Sequence, residues 1–304
     1  MGDRTRLDTE LVRRGLARSR RHADELIGAG RVRVDGAVAT KPATALSGDQ
    51  HVDVEPAGEP DYASRAGHKL ARALEALGPE GPRVHGQRCL DAGASTGGFT
   101  DVLLRRGAEH VVAVDVGHDQ LLPRLRADPR VTVREGLNVR HLTPGDVAPP
   151  PGLVVGDLSF ISLTLVLPAL ASVVEPGGDL LLMVKPQFEV GRERLGAGGV
   201  VRDAGLRVDA VLTVAGAAVE LGLSVRAVVP SPLPGPGGNV EYFLWMTAPA
   251  PASGHAGVGA ERQDVARSGA PGGPDPGGLR TMVQAAVAAG PTGEGSTWTS
   301  GGRR

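Results

Sequence analysis

The chain has little cysteine, lysine or aromatic residue, and each shortage excludes something. The single cysteine, Cys89, leaves no internal disulfide to form and fits a reducing compartment. Aromatic residues make up 3% of the 304 residues, so any core must be built from aliphatic side chains. No apolar run approaches the roughly 18 residues that span a bilayer. The start, Met1-Gly2-Asp3-Arg4-Thr5-Arg6, leads into no apolar signal core. A cytoplasmic protein is expected, with neither a membrane nor a metal among its partners.

Of 33 basic residues only Lys41, Lys69 and Lys185 are lysines. Where arginine is the default cation, each lysine invites a reason. A lysine is a compact charge on a flexible stem and can lose its proton when its surroundings favour the neutral amine. Lys185 ends the apolar run Leu180-Leu181-Leu182-Met183-Val184, directly before Pro186. That is the carboxyl end of an expected buried strand, where open α/β sheets build their sites. A lysine snorkelling from a strand end is the alternative.

The net charge of −1 conceals an uneven distribution, because residues 4–41 carry ten Lys/Arg against five Asp/Glu. A basic end on a neutral chain suggests a localised polyanion contact. Leu7, Leu11, Val12 and Leu16 recur at helical spacing, and Ser19 is placed to cap a second helix through Leu26-Ile27. Val32 and Val34 then alternate with charged residues before the Asp35-Gly36 turn signal. Two helices and a hairpin carrying Arg6, Arg18, Arg20, Arg21, Arg31 and Arg33 suit phosphate contacts along a structured RNA. A solvated basic face is the competing reading. The run Ser19-Arg20-Arg21-His22-Ala23-Asp24-Glu25-Leu26-Ile27-Gly28-Ala29-Gly30 through Gly36, with Arg6-Leu7-Asp8 ahead of it, resembles the alpha-L, or S-four-type, RNA-binding module.

Between about Ser64 and Thr247, strand-like and helix-like stretches alternate. Strands are expected at 88–91, 110–115, 131–133, 153–157, 180–184, 225–229 and 241–246, with helices over Phe99 to Arg106 and Val208 to Leu221. This alternation predicts a largely parallel sheet covered on both faces. From about Ala248 the chain is rich in Gly and Pro, and a disordered tail is expected. Leu279 to Ala289 could form one short helix, with nothing to suggest that it packs. The domains are thus 1–60, 61–247 and a tail, 248–304.

Asp91-Ala92-Gly93-Ala94-Ser95-Thr96-Gly97-Gly98-Phe99 runs from a strand through a glycine loop into a helix. Such loops let backbone amides approach a ligand closely. A dinucleotide site would want G-x-G-x-x-G, but Ser95 stands where the second glycine belongs, and Asp91 precedes the first. That carboxylate suits a ligand bearing an ammonium group. Asp115 lies 22 residues after Gly93, where an acid would receive ribose hydroxyls. S-adenosylmethionine meets both demands; another nucleotide or a purely structural turn are the alternatives.

The acceptor follows from what surrounds the fourth strand. Asp157-Leu158-Ser159-Phe160 replaces the Asn/Asp-Pro-Pro-aromatic tetrad expected for amine methylation, and Cys89, the one cysteine, sits inside the first strand. An oxygen acceptor remains. A ribose hydroxyl is a weak nucleophile that needs orientation and a destination for its proton. Lys185 could supply both, aided by Lys69 as a neighbouring cation opening the amphipathic helix Leu70 to Leu77, with Asp157 and Glu241 holding the amines.

The motifs Ser64-Arg65-Ala66-Gly67-His68-Lys69-Leu70, Asp91 to Thr100, Asp157-Leu158-Ser159-Phe160-Ile161-Ser162, Val184-Lys185-Pro186-Gln187-Phe188-Glu189 and Gly237-Gly238-Asn239-Val240-Glu241-Tyr242 together resemble the TlyA family over residues 4–247. Its members, once called hemolysin A, act as ribosomal RNA cytidine 2′-O-methyltransferases. The resemblance implies a Rossmann-like, FtsJ-like class I methyltransferase α/β sheet preceded by a small α+β S-four-type domain. It also implies a Lys-Asp-Lys-Glu tetrad, falling on Lys69, Asp157, Lys185 and Glu241. S-adenosylmethionine contacts are implied at Asp91, Gly93, Ala94, Ser95, Thr96, Gly97, Gly98, Phe99 and Asp115, with Asn138 as a further candidate. One departure is the linker Pro60-Asp61-Tyr62-Ala63, where some members carry Arg-x-Trp-Val; the long tail is another. The old name keeps a membrane-active lysin as a rival, although no spanning or cationic amphipathic segment is found. A non-catalytic RNA-binding factor is the second rival.

Overall fold

Leu7 and Leu11, one helical turn apart, are both fully buried and begin the smaller of two compact units. In the computed structural model, residues 5–55, 60–250 and 275–290 are described. The first unit ends at Asp61 and the second begins at Tyr62. The break falls one residue beyond the expected boundary because Asp61 accepts a hydrogen bond from Arg18 Nη1 at 2.8 Å.

In chain order the first unit contains β1 (Thr5–Arg6), α1 (Leu7–Arg13), α2 (Arg20–Gly28), β2 (Val32–Val34), β3 (Ala37–Val38), β4 (Ala45–Leu46) and β5 (Val52–Val54). Ser19 caps α2 by accepting from His22 N at 3.2 Å. Asp35 and Gly36 both take positive φ, 50° and 84°, the mirror-image turn that closes a two-residue hairpin. β2 pairs with β3 on one side and β5 on the other. Leu11, Ala23, Leu26, Ile27, Val32, Leu46 and Val52 form the core.

The second unit comprises α3 (Arg65–Leu77), β6 (Arg88–Ala92), α4 (Gly98–Arg105), β7 (His110–Asp115), α5 (Pro123–Arg126), β8 (Val131–Glu135), α6 (Pro144–Val147), β9 (Leu153–Gly156), α7 (Leu167–Val173), β10 (Asp179–Val184), α8 (Pro186–Glu189), α9 (Ala204–Glu220), β11 (Ser224–Pro230), β12 (Tyr242–Thr247) and α10 (Pro276–Ala289). Its seven strands lie in the order β11-β12-β10-β9-β6-β7-β8. β6 to β10 are parallel, whereas β12 runs antiparallel to both neighbours. The start of β12 therefore lies beside the carboxyl end of β10. Strand order reverses between β6 and β9, the position where such sheets open a ligand crevice. Alternate residues feed two aliphatic layers. Leu90, Val154, Leu182 and Leu244 pack on one side with α7 and α9, and Cys89, Val155, Leu181 and Phe243 on the other with α3 and α4.

The tail differs from expectation. Residues 276–289 form α10, which packs on α9 and β11 with Val283, Ala286 and Val287 buried. Asp275 caps it through Gly278 N at 2.7 Å, and Pro276 occupies its first turn, a favoured position. Average composition hid this apolar stripe because Gly and Pro dominate the flanking segments. Residues 251–274 and 291–304 lie outside the described residues, so the expectation of disorder is untouched there.

Candidate active site

The sheet register delivers two of the expected site residues together. Val184 of β10 pairs with Tyr242 of β12, so Lys185, one residue past the first, neighbours Glu241, one residue before the second. Lys69 reaches Glu241 from α3, with Nζ 2.6 Å from Oε2. Lys185 Nζ stands 2.6 Å from Asp157 Oδ1 and donates its aligned hydrogen bond to Ser159 Oγ at 2.8 Å. Asp157 adjoins the glycine loop, its N donating to Ala92 O at 3.2 Å. All four side chains are thus at the crevice as two lysine–carboxylate pairs. Glu241 is wholly buried, and the two lysine side chains are 7–8% exposed. Charges so placed are tolerated only when paired.

Lys69 does not open its helix, as the sequence suggested; α3 begins at Arg65, a full turn earlier. Gly67 and Gly98 allow this. A Cβ on Gly98 would strike Ser64 Oγ and come within 3.0 Å of Gly67 N, and one on Gly67 would lie 2.5 Å from Tyr62 Cβ. α3 therefore lies almost backbone-to-backbone on the start of α4, which holds Lys69 beside the loop. Gly98→Ala is expected to push α3 aside and lower kcat/KM on the order of 10²-fold, since displacements near 1 Å have such effects. Steady-state kinetics, with circular dichroism to confirm the fold, checks this.

The loop itself is built for close approach. Gly93, Ser95 and Gly97 take positive φ of 86°, 47° and 95°. Ser95 is held in this uncommon conformation by its N–H donating to Asp115 Oδ2 at 2.8 Å. Gly117 N donates to Asp115 Oδ1 at 2.7 Å, so each carboxylate oxygen retains a lone pair for a further donor. Asp91 is fully buried; its Oδ2 accepts from Thr100 Oγ1 at 2.7 Å while Oδ1 has no partner. Burial outweighs that hydrogen bond and pushes the carboxyl up to about 7. A buried acceptor left open, with a second acid presenting free lone pairs on the next strand, fits the ammonium and ribose diol of S-adenosylmethionine.

Other expected cofactor residues are placed differently. Phe99 turns into the core against Phe243, ring centres 6.1 Å apart, so only its backbone faces the loop. Ala94 is buried. Thr96 O receives Leu122 N. Asn138 is exposed and spends Oδ1 on Arg140 N at 3.0 Å. The Cys89 thiol is pushed up to about 12, chiefly by burial, and is no nucleophile.

In the first unit the arginines are not the free cations that a charge count suggests. Arg6 and Arg20 share Asp8, Arg18 holds Asp61, Arg21 holds Glu25, and Arg33 holds Glu55. Arg31 donates to Glu55 O. Glu10 binds both Arg13 and Arg14, whose hydrogen bonds hold its carboxyl down at about 2; Asp8 is lowered further, foremost by Arg6. A carboxylate with a depressed folded pKa stabilises fully above its unfolded value, and the contribution fades as pH falls through the folded one. Loosening of this unit is expected between about 4.5 and about 2 for Glu10, followed by NMR of its amides against pH.

Sequence reasoning missed three residues at the crevice. Ser159 receives Lys185, and Gln187 Nε2 lies 3.4 Å from Glu241 Oε1. Phe160 is 91% exposed at φ 64° beside Phe188, ring centres 5.3 Å apart. All three lie inside quoted motifs, two or three residues from a lysine or an aspartate, which was the available signal.

Known proteins resemble this chain in both of its units. Residues 62–248 match the FtsJ-like methyltransferase model, and residues 5–52 match the S4 domain. The chain is 58% identical over 246 residues to the 16S/23S rRNA (cytidine-2′-O)-methyltransferase TlyA of Mycobacterium tuberculosis, covering 81% of this chain and 91% of that protein. It is 36% identical to Hemolysin A of Brachyspira hyodysenteriae, covering 78% of this chain and 98% of the relative. The solved structure of a presumed hemolysin from Streptococcus thermophilus superposes with a TM-score of 0.66 at 34% identity, covering 95% of this chain and 97% of that one. Among the described residues no helix is long and apolar enough to cross a membrane. With two matched domains in this order and a relative this similar along most of its length, the chain belongs to the FtsJ-like methyltransferases, in the TlyA family, and carries an amino-terminal S4 domain.

Proposed function

We propose that this protein methylates the ribose 2′-oxygen of a cytidine in ribosomal RNA, with ribosomal subunits as its cytoplasmic partners. The observation that carries the reading is the Lys185–Asp157–Ser159 cluster set directly against the glycine loop. S-adenosylmethionine, bound by the loop, Asp91 and Asp115, supplies an electrophilic sulfonium methyl group. The chain's own residues prepare the acceptor. Lys185 orients the 2′-hydroxyl, whose proton passes to the Lys185–Asp157 pair as the methyl group is transferred. Ser159 fixes the direction of the amine. Lys69, anchored by buried Glu241, offers its remaining N–H groups to the ribose oxygens. Fixed groups of this kind act where charge develops and need no reorganisation.

The buried, protonated Cys89 removes the thiolate that pyrimidine carbon-5 methylation requires. Phe160 supports a nucleotide drawn out of its stack. An aromatic ring in a strained backbone conformation beside the acceptor site offers a stacking face for an unpaired base. The cytidine 2′-O-methyltransferase activity of the Mycobacterium tuberculosis relative supports cytidine as the base. Isolated small and large ribosomal subunits are incubated with tritiated methyl donor and the protein. Incorporation into either supports the reading, and background counts with both contradict it.

A further inference from the structure

Among the described residues Asp8 and Glu10 are the two most deeply buried acids of the first unit, 2% and 3% exposed, yet neither is enclosed by core. Arginines cover them. Asp8 accepts from Arg6 Nε at 3.0 Å and Nη2 at 2.9 Å, from Arg20 Nη2 at 3.0 Å, and from Thr9 N at 2.8 Å and Oγ1 at 3.2 Å. Glu10 accepts from Arg13 Nε at 2.7 Å and Nη2 at 2.6 Å, and from Arg14 Nε at 2.6 Å. Arg14 Nη1 is further tied to Gln50 O at 2.9 Å. The side chains of Arg6, Arg20 and Arg13 remain 51%, 63% and 67% exposed.

We infer that Asp8 and Glu10 are positioning residues for RNA phosphates, each clamping a pair of guanidinium groups in one orientation. The inference rests on the RNA-binding reading of this unit. Arg6 and Arg13 each give one edge of the fork to the carboxylate, which turns the opposite N–H groups outward. A guanidinium engaged on one edge can still bind phosphate with the other, because it carries five N–H donors in a rigid plane. The Glu10 cluster keeps a net positive charge, since two arginines share one acid; at Asp8 two arginines likewise share one carboxylate, with Asp24 offsetting part of the charge of Arg6. The clamp removes rotamer freedom that would otherwise be lost on binding, which is how preorganisation raises affinity. A bare charge count assigns these acids the opposite effect, as repellents of RNA.

The two views predict opposite signs. Binding of the full-length protein to deproteinised ribosomal RNA is measured by fluorescence anisotropy at several KCl concentrations, for Arg13→Ala, Arg20→Ala, Glu10→Gln, Asp8→Asn and Glu10→Asp. Glu10→Gln and Asp8→Asn each remove a negative charge, yet each is expected to weaken binding about tenfold with no steeper salt dependence. Tighter binding with a steeper salt slope, the mark of added phosphate neutralisation, would overturn the inference. Glu10→Asp keeps the charge and withdraws it by one methylene; weaker binding supports positioning, and unchanged affinity contradicts it. That variant and Glu10→Gln decide the matter should Asp8→Asn not fold, because Thr9 also depends on Asp8. Arginine variants that weaken binding beside acid variants that tighten it defeat this inference alone. Arginine variants that bind as the parent does defeat the RNA-binding reading with it.

Discussion

Lys185→Ala is expected to bind S-adenosylmethionine and ribosomal RNA as the parent does while turning over about 10²–10⁴-fold more slowly, the span typical of a lost proton-transfer group. The prediction follows from where the amine lies. Lys185 leaves β10 at the crevice, is 7% exposed, and contacts Asp157 and Ser159 rather than the glycine loop's acids. Its removal leaves Asp91 and Asp115 and the first unit's arginines intact. Lys185→Arg is expected to fail almost as badly, because guanidinium keeps its charge in proteins and cannot take a proton. Single-turnover rates, with affinities measured separately by calorimetry and anisotropy, distinguish lost chemistry from lost binding. Full turnover in Lys185→Ala would remove this lysine from the reaction.

Glu241→Ala carries the largest expected effect on stability. Glu241 is completely buried and lies 2.6 Å from Lys69, itself 8% exposed. Its removal strands an ammonium group in the interior, and breaking a buried pair in this way costs about 3–5 kcal/mol. The double variant Lys69→Met, Glu241→Leu removes both charges, and much of that stability should return while activity stays lost. Thermal and urea denaturation measure the first effect, and methyl transfer the second. If Glu241→Ala melts with the parent protein, the buried pair is not what fixes Lys69.

Much of this arrangement was legible in the residues. The seven strands lie within a residue or two of their expected places because each is built on a short apolar stretch bounded by glycine, proline or charge, although β6, β8 and β11 carry Asp91, Thr132 and Arg226 within them. Lys185 and Asp157 stood out because a charge directly after such a run can only emerge at the strand's end. The antiparallel setting of β12, which brings Glu241 to the same edge, is a matter of tertiary pairing that local pattern does not contain. The early start of α3 was hidden because Gly67 lowers helix propensity, and its compensation, contact with Gly98, is 31 residues away in the chain. Phe99 looked like part of the ligand loop, yet aromatic area is scarce here and Phe243 waits beneath it. The arginines of the first unit misled in another way: summed charge shows how many there are, but not that Asp8 and Glu10 gather them in pairs. α10 escaped notice because composition was averaged over a segment whose flanks are glycine and proline.

The account depends on oxygen, rather than nitrogen or carbon, being the atom that Lys185 prepares. The most direct test is nucleoside analysis, by chromatography and mass spectrometry, of ribosomal RNA methylated in vitro with labelled donor and digested to completion. The account predicts that all enzyme-dependent label elutes as 2′-O-methylcytidine and disappears with Lys185→Ala. Label on a base-methylated nucleoside, or 2′-O-methylcytidine formed equally well by Lys185→Ala, would contradict it.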